Sequence, residues 1–184
     1  MSRILFWLRA ARAPFFTAAI APMLVGTALA YYHSGTVQWL YALLGTVSLV
    51  LLHASANMSN DFFDHLTGDD EANQSFATPF TGGSRVIQSG EARPWEMIVA
   101  SLLCMGVAAL IGFYLVWRCG WPILWLGVIG GITGFFYTAP PFRFVYRGSG
   151  ELFIFLDFGL LPVLGAYYLQ RGSFPPAAFL AGVP

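Results

Sequence analysis

Lysine is absent from this 184-residue chain, and all nine basic residues are arginines. Charge of either sign is scarce: nine acids balance the nine arginines, and only 10% of residues are charged. No basic run interrupts the sequence, which argues against nucleic acid as a partner. A soluble domain of this length carries far more charge, whereas 57% of these residues are hydrophobic and the mean hydropathy is +0.66. The composition is that of an integral membrane protein. Only two cysteines occur, Cys104 and Cys119. In one helix they stand about 22 Å apart at 1.5 Å per residue, so no disulfide framework is implied.

What is abundant is apolar sequence in lengths that cross a bilayer. Five spans are expected at about 14–32, 39–58, 96–117, 121–138 and 151–170. The expected fold class is therefore all-α, a multi-span helical bundle, with residues 1–184 forming a single transmembrane domain. The segment Ile4–Leu8, flanked by arginines, reads as an interfacial helix. A cleaved signal peptide is the competing reading of the N-terminus; a retained first span is favoured because the remaining chain is itself a multi-span protein. Pro175-Pro176 and the short apolar run after them read as the opening of a sixth span, so the domain is expected to be incomplete at its C-terminus. With the N-terminus inside, Arg3, Arg9, Arg12, Arg85, Arg93, Arg143 and Arg147 are cytoplasmic and only Arg118 and Arg171 face outward. This asymmetry predicts an inner or plasma membrane location with the N-terminus and the working face cytoplasmic.

Five of the nine acids, Asp61, Asp64, Asp69, Asp70 and Glu71, fall in one short window at the end of the second span. His53, Asn57, Asn60, Asp61, Asp64 and Gly68 recur at three or four residues, which places them on one helical face running back into the membrane. Polar groups at that depth are costly, and so point to function. Asp61 and Asp64 are spaced to reach one ion, and carboxylate oxygens are hard ligands suited to Mg2+. For Asp69, Asp70 and Glu71 a solvated helix end is an equal reading. The next motif, Thr81-Gly82-Gly83-Ser84-Arg85, offers paired glycines for an anion nest and an arginine for phosphate oxygens, although an ordinary glycine turn fits as well. Tyr137-Thr138-Ala139-Pro140-Pro141, followed by Arg143, Tyr146 and Arg147, ends the fourth span in a basic loop, for which an interfacial role is the simpler reading. Asp157 stands inside the fifth span, placed to pair with an arginine or to line a cavity.

At these residues the chain resembles the UbiA-type intramembrane aromatic prenyltransferases, and within them the branch that acts on 1,4-dihydroxy-2-naphthoate in menaquinone synthesis. The likeness lies in Asn60-Asp61-Phe62-Phe63-Asp64 with Gly68 and Asp70, in Gly82 to Gly90, in Tyr137 to Pro141, in Tyr146 to Glu151, and in Arg12 before Ala13-Pro14. The resemblance implies Mg2+-dependent transfer of a polyprenyl group from its diphosphate to an aromatic acceptor. It implies Asp61 and Asp64 as the catalytic metal ligands, with Asn57, Asn60, Arg12, Arg85, Arg143 and Arg147 holding the diphosphate. It also implies a second acidic motif in a later helix, and none lies between Leu152 and Pro184. The missing half-site is expected from elsewhere, a partner chain included. The alternatives are another aromatic acceptor, or a noncatalytic membrane subunit or cation-binding module.

Overall fold

A computed structural model describes residues 2–72 and 83–183. Among them every regular element is helical. The order is α1 (Arg3–Ala10), α2 (Phe16–Ser34), α3 (Trp39–Thr67), α4 (Asp69–Ala72), α5 (Pro94–Cys119), α6 (Trp121–Phe135), α7 (Gly150–Phe155), α8 (Leu161–Arg171) and α9 (Pro176–Ala181). Four helical stretches are long and apolar enough to cross a membrane: Ala13–Ser34, Trp39–Thr67, Pro94–Cys119 and Gly150–Arg171. The fourth expected span is shorter, since α6 stops at Phe135. Large apolar side chains such as Leu43, Leu103, Leu110, Phe113 and Trp125 are exposed on the outside of the bundle, as lipid contact requires.

The 29 residues of α3 extend for about 43 Å, against a hydrocarbon core of about 30 Å. The helix therefore does not end where the second span was expected to end, near residue 58. It continues through the acidic stripe, so Asn57 to Asp64 stand on one helix, as their spacing predicts. The helix is braced by α5, its main neighbour. Between them Ser101 donates to the Ser55 carbonyl at 2.8 Å and the two hydroxyls lie 2.9 Å apart, all buried, a polar clasp of the kind that joins membrane helices.

On the other side α2 packs along α8. They approach so closely at Gly26 that a Cβ there would lie 2.4 Å from the Val163 carbonyl oxygen; only a glycine lets the two backbones meet. The first span is thus built into the bundle. The α1 helix shows Ile4, Leu5, Trp7 and Leu8 to the outside, as expected of an interfacial helix.

The span from Gly150 to Arg171 contains one irregularity. Between α7 and α8 the residues Leu156–Leu160 form a π-helical turn, in which the Leu161 N–H bonds to the Leu156 carbonyl. Such a turn inserts one extra residue and re-aims the side chains it carries. Asp157 is one of them.

The loop before α5 is fixed by its own apolar residues. Val86 and Ile87 are buried against Ala54, Met58 and Met97, worth about 1.5–3 kcal/mol for each such side chain fully buried. The backbone N–H groups of Glu91 and Ala92 both return to the Val86 carbonyl. This anchor sets Gly83, Ser84 and Arg85 directly over the end of α3. Thr81 and Gly82 lie outside the described residues.

Candidate active site

At the end of α3 expected to face the cytoplasm, Asp61 is almost wholly buried, at 2% exposure. Its carboxylate is enclosed by donors from distant parts of the chain. Arg12, 49 residues earlier, forms an ion pair with Oδ1. The Ser84 hydroxyl donates to Oδ2, and the Ser84 backbone N–H lies 3.3 Å from both oxygens. Gly83 has φ +76°, and a Cβ on it would meet Asp61 Oδ1 at 2.9 Å and both Arg12 Nη2 and Asp70 Oδ2 at 3.3 Å. Glycine is needed here on both counts: the left-handed backbone and the space. Asp61, Asp70 and Arg12 thus converge on one point.

Asp70 is buried as well. The Arg85 guanidinium donates to its backbone carbonyl and stands 3.8 Å from Oδ1, while Gln88 Nε2 donates to Oδ2 at 3.3 Å. Burial pushes the Asp70 carboxyl up to about 6, helped by the negative charges of Asp61 and Asp64 and opposed by Arg85 and Arg12. Asp69, by contrast, is exposed and accepts from Thr67 at 3.0 Å. The solvated reading holds for Asp69 and fails for Asp70.

Asp64 faces a different partner. Tyr146, 82 residues away in the loop after α6, donates its hydroxyl to Asp64 Oδ1 at 2.7 Å. Burial, with bonds to Asp69 and Asp64, holds the phenol protonated well above its ordinary range, which keeps it a donor. One turn below, Thr138 donates to Asn60 Oδ1 at 2.8 Å and Asn57 Nδ2 donates to the Ala11 carbonyl at 2.9 Å. Ser84, Tyr146, Thr138 and Asp70 were not among the expected site residues. The hydroxyls carry no sequence signal that ties them to α3, whereas Gly68 with Asp70 did stand in the motif.

Three non-glycine residues among those described have positive φ: Arg12 (54°), Arg85 (59°) and Arg143 (49°). All belong to the expected phosphate-binding set. Each costs on the order of 1 kcal/mol, a strain that gathers at working sites. The structure brings Arg12 and Arg85 to the carboxylates. Arg143 and Arg147 are exposed on the loop, and Arg147 donates to the Pro141 carbonyl at 3.2 Å. Arg12 Nε is buried with no hydrogen-bond partner, an unused donor facing a site of anions.

No three His, Cys, Asp or Glu side chains among the described residues make a ready-made metal cage. Mg2+ does not need one, because it binds through one or two carboxylates and completes its shell with water and substrate phosphate. Asp61 and Asp70 oxygens converging at Gly83, with Asp64 one turn further on, are hard donors of that type, and they fit the ion.

Beneath the cluster a cavity of about 310 Å³ runs into the bundle between α2, α3, α5, α6 and the α7–α8 span. Asn57, Asn60 and Tyr137 stand where it meets the cluster, and its walls are mostly apolar, with Leu49, Leu52, Leu126 and Leu161 among them. Asp157 lines it too, bonded to Thr133 at 2.7 Å. The cavity role expected for Asp157 is the one observed; no arginine pairs with it among the described residues.

The pattern of this chain is shared with known proteins. The family described as the UbiA prenyltransferase family matches residues 19–184. The chain is 33% identical over 169 residues to 2-carboxy-1,4-naphthoquinone phytyltransferase of Synechocystis, covering 91% of this chain and 52% of that protein. It is 32% identical over 185 residues to 1,4-dihydroxy-2-naphthoate octaprenyltransferase of Escherichia coli, covering 98% of this chain and 58% of that protein. The enzyme of the latter name from Mycobacterium tuberculosis is 30% identical over 164 residues, covering 89% and 53%. The chain thus spans about half the length of the curated relatives it matches.

Proposed function

The chain belongs to the UbiA prenyltransferase family, and from that premise we propose that it supplies the diphosphate end and part of the tail cavity of an aromatic prenyltransferase. The proposed acceptor is 1,4-dihydroxy-2-naphthoate, the compound in the names of two of the relatives above. One observation carries the reading: a buried, arginine-matched carboxylate cluster stands on the same helix as Asn57 and Asn60, which line an apolar cavity inside a membrane bundle. A prenyl diphosphate has the same polarity, anionic at one end and hydrocarbon at the other.

Asp61 and Asp64, with Asp70, would hold Mg2+, which when bound neutralises charge on the leaving diphosphate. Arg12 and Arg85 offer guanidinium donors to the remaining diphosphate oxygens; the open Nε of Arg12 is one such donor. Arg143 and Arg147, exposed on the adjoining loop, would belong to the same phosphate-binding set. Tyr146 fixes the orientation of Asp64, and Asn57 and Asn60 mark the level where the diphosphate gives way to hydrocarbon. The allylic C–O bond breaks and the diphosphate leaves with the electron pair. The apolar walls keep water from the cation-like carbon that remains. The electron-rich acceptor ring forms the new C–C bond, and in the naphthoate case its carboxylate departs as CO2. The second acidic motif that the resemblance implies does not occur between Leu152 and Pro184.

The test is transfer of a labelled prenyl group to 1,4-dihydroxy-2-naphthoate by the full-length protein in membranes, with and without Mg2+. Asp64→Asn is expected to lower turnover by at least ~10³-fold, as loss of a main electrostatic stabiliser does, without unfolding the protein. Undiminished transfer by a folded Asp64→Asn protein would remove this assignment.

A further inference from the structure

The cavity wall is not uniformly apolar: Ser48, Asn57 and Asn60 are hydrogen-bonded within the protein, whereas His53 and Asp157 keep unused hydrogen-bonding capacity. His53 is buried to 8% exposure, lines the cavity, and has an Nδ1 with no hydrogen-bond partner among the described residues. Its ring packs edge-on against Phe16 and Phe158, at 5.8 and 4.6 Å between centroids. Phe158 follows Asp157 in the π-helical turn. Asp157 shares one oxygen with Thr133, whose single hydroxyl proton has three acceptors in range: Asp157 Oδ1 at 2.7 Å, the Ile129 carbonyl at 2.8 Å and the Gly130 carbonyl at 3.2 Å. Thr133 can give Asp157 one hydrogen bond at most, whereas a carboxylate accepts several. A cavity that served only a hydrocarbon tail would leave His53 Nδ1 unpaired and Asp157 with the Thr133 bond alone, at a cost that apolar residues avoid.

We propose that Asp157 and His53 form a subsite for the ring hydroxyls of the aromatic acceptor, within the cavity and below the diphosphate. The inference rests on the prenyltransferase reading and specifies where the second substrate sits. His53 lies about 12 Å along the α3 axis from Asp61. A flat ring held there extends toward Asn57 and Asn60, where the allylic carbon leaves its diphosphate. A hydroxyl donates to the open carboxyl oxygen of Asp157, and a second donates to Nδ1 of the His53 imidazole, which then carries its proton on Nε2. The rest of the ring meets Leu52, Leu126 and Phe158. These two groups select a hydroxylated ring over an equally apolar one, because an analogue that cannot donate leaves both of them unpaired.

The experiment is equilibrium binding to the full-length protein in detergent, without metal or prenyl diphosphate, followed by quenching of tryptophan fluorescence. The probes are reduced 1,4-dihydroxy-2-naphthoate and its 1,4-dimethyl ether. The unaltered protein is expected to prefer the diol by at least about tenfold, the scale of a lost buried hydrogen bond. Asp157→Leu and His53→Phe should each erase most of that preference, whereas Thr133→Val, which removes only the strut to α6, should keep it. Equal binding of diol and ether by the unaltered protein overturns the proposal, and needs no variant to fold. So does a preference that survives both substitutions, or one lost equally in Thr133→Val, which would make Asp157 a helix strut. Diol preference without prenyl transfer would sink the reaction assigned above and leave this subsite standing; transfer indifferent to Asp157 and His53 would do the reverse.

Discussion

The two ends of the site differ in what they leave open: at the charged end it is a donor, Arg12 Nε, and in the cavity it is the His53 imidazole. At the charged end Asp61, Asp64 and Asp70 each have a donor in place: Arg12 and Ser84, Tyr146, Arg85 and Gln88. Two turns deeper, His53 Nδ1 has no hydrogen-bond partner among the described residues and Asp157 accepts only from Thr133. A cluster of like charges must be matched before the chain can fold around it, since unpaired buried charge is very costly. Inside the cavity a smaller deficit is tolerable, and a polar group kept open is available for a ligand. The cluster is thus preorganised electrostatics, while the cavity holds hydrogen-bonding capacity that only an occupant meets.

The contrast is broken most severely at Gly83. Alanine there places a methyl against Asp61 and Arg12 and imposes a left-handed backbone on a non-glycine residue. Displacing these groups by even part of an ångström should lower kcat about 10²-fold, with diol binding in the cavity unchanged; steady-state kinetics beside the fluorescence titration separate the two. A smaller effect is expected from Tyr146→Phe, which removes one neutral donor to Asp64. A loss of about 1 kcal/mol, or roughly fivefold in turnover, is the scale of one such bond, and the thermal midpoint should stay unchanged because Tyr146 is half exposed.

The smallest effect sharpens the comparison from outside the site. Glu91 pairs with Arg9 on the exposed surface, and that bond, with one from Ser89, holds its carboxyl below the ordinary value of 4.5. A carboxyl lowered on folding stabilises the fold above its unfolded pKa and loses that contribution as pH falls through the folded one. The thermal midpoint of the unaltered protein should exceed that of Glu91→Gln slightly at pH 7 and in low salt. The gap should close below pH 4.5 and in high salt. A gap that persists at low pH would assign Glu91 a role other than this ion pair.

Periodicity made one face of this site readable from the sequence alone. The three- and four-residue spacing from His53 to Asp64 is a local property of a helix, and α3 displays it as expected. The spans were legible for the same reason, since length and apolarity are local. What spacing does not carry is the partner brought from afar. Arg12 reaches Asp61 across 49 residues and Tyr146 reaches Asp64 across 82, and nothing in the α3 sequence names either of them. The acidic window has no basic neighbour in sequence, yet it is matched by arginine in space. Nor did the sequence announce the π-helical turn that carries Asp157, because a single inserted residue leaves hydrophobic periodicity nearly intact.

The central claim is that the carboxylate cluster and the cavity together bind one molecule, anionic at its head and hydrocarbon in its tail, around a divalent ion. The most direct measurement is calorimetric titration of Mg2+ into the full-length protein, with and without an unreactive prenyl thiolodiphosphate. Linkage requires each ligand to tighten the other by the same factor. The account predicts at least about tenfold tightening, or about 1.4 kcal/mol of coupling, abolished in Asp61→Asn. Mg2+ affinity that is indifferent to the prenyl compound would contradict it and leave a cation-binding membrane module in its place.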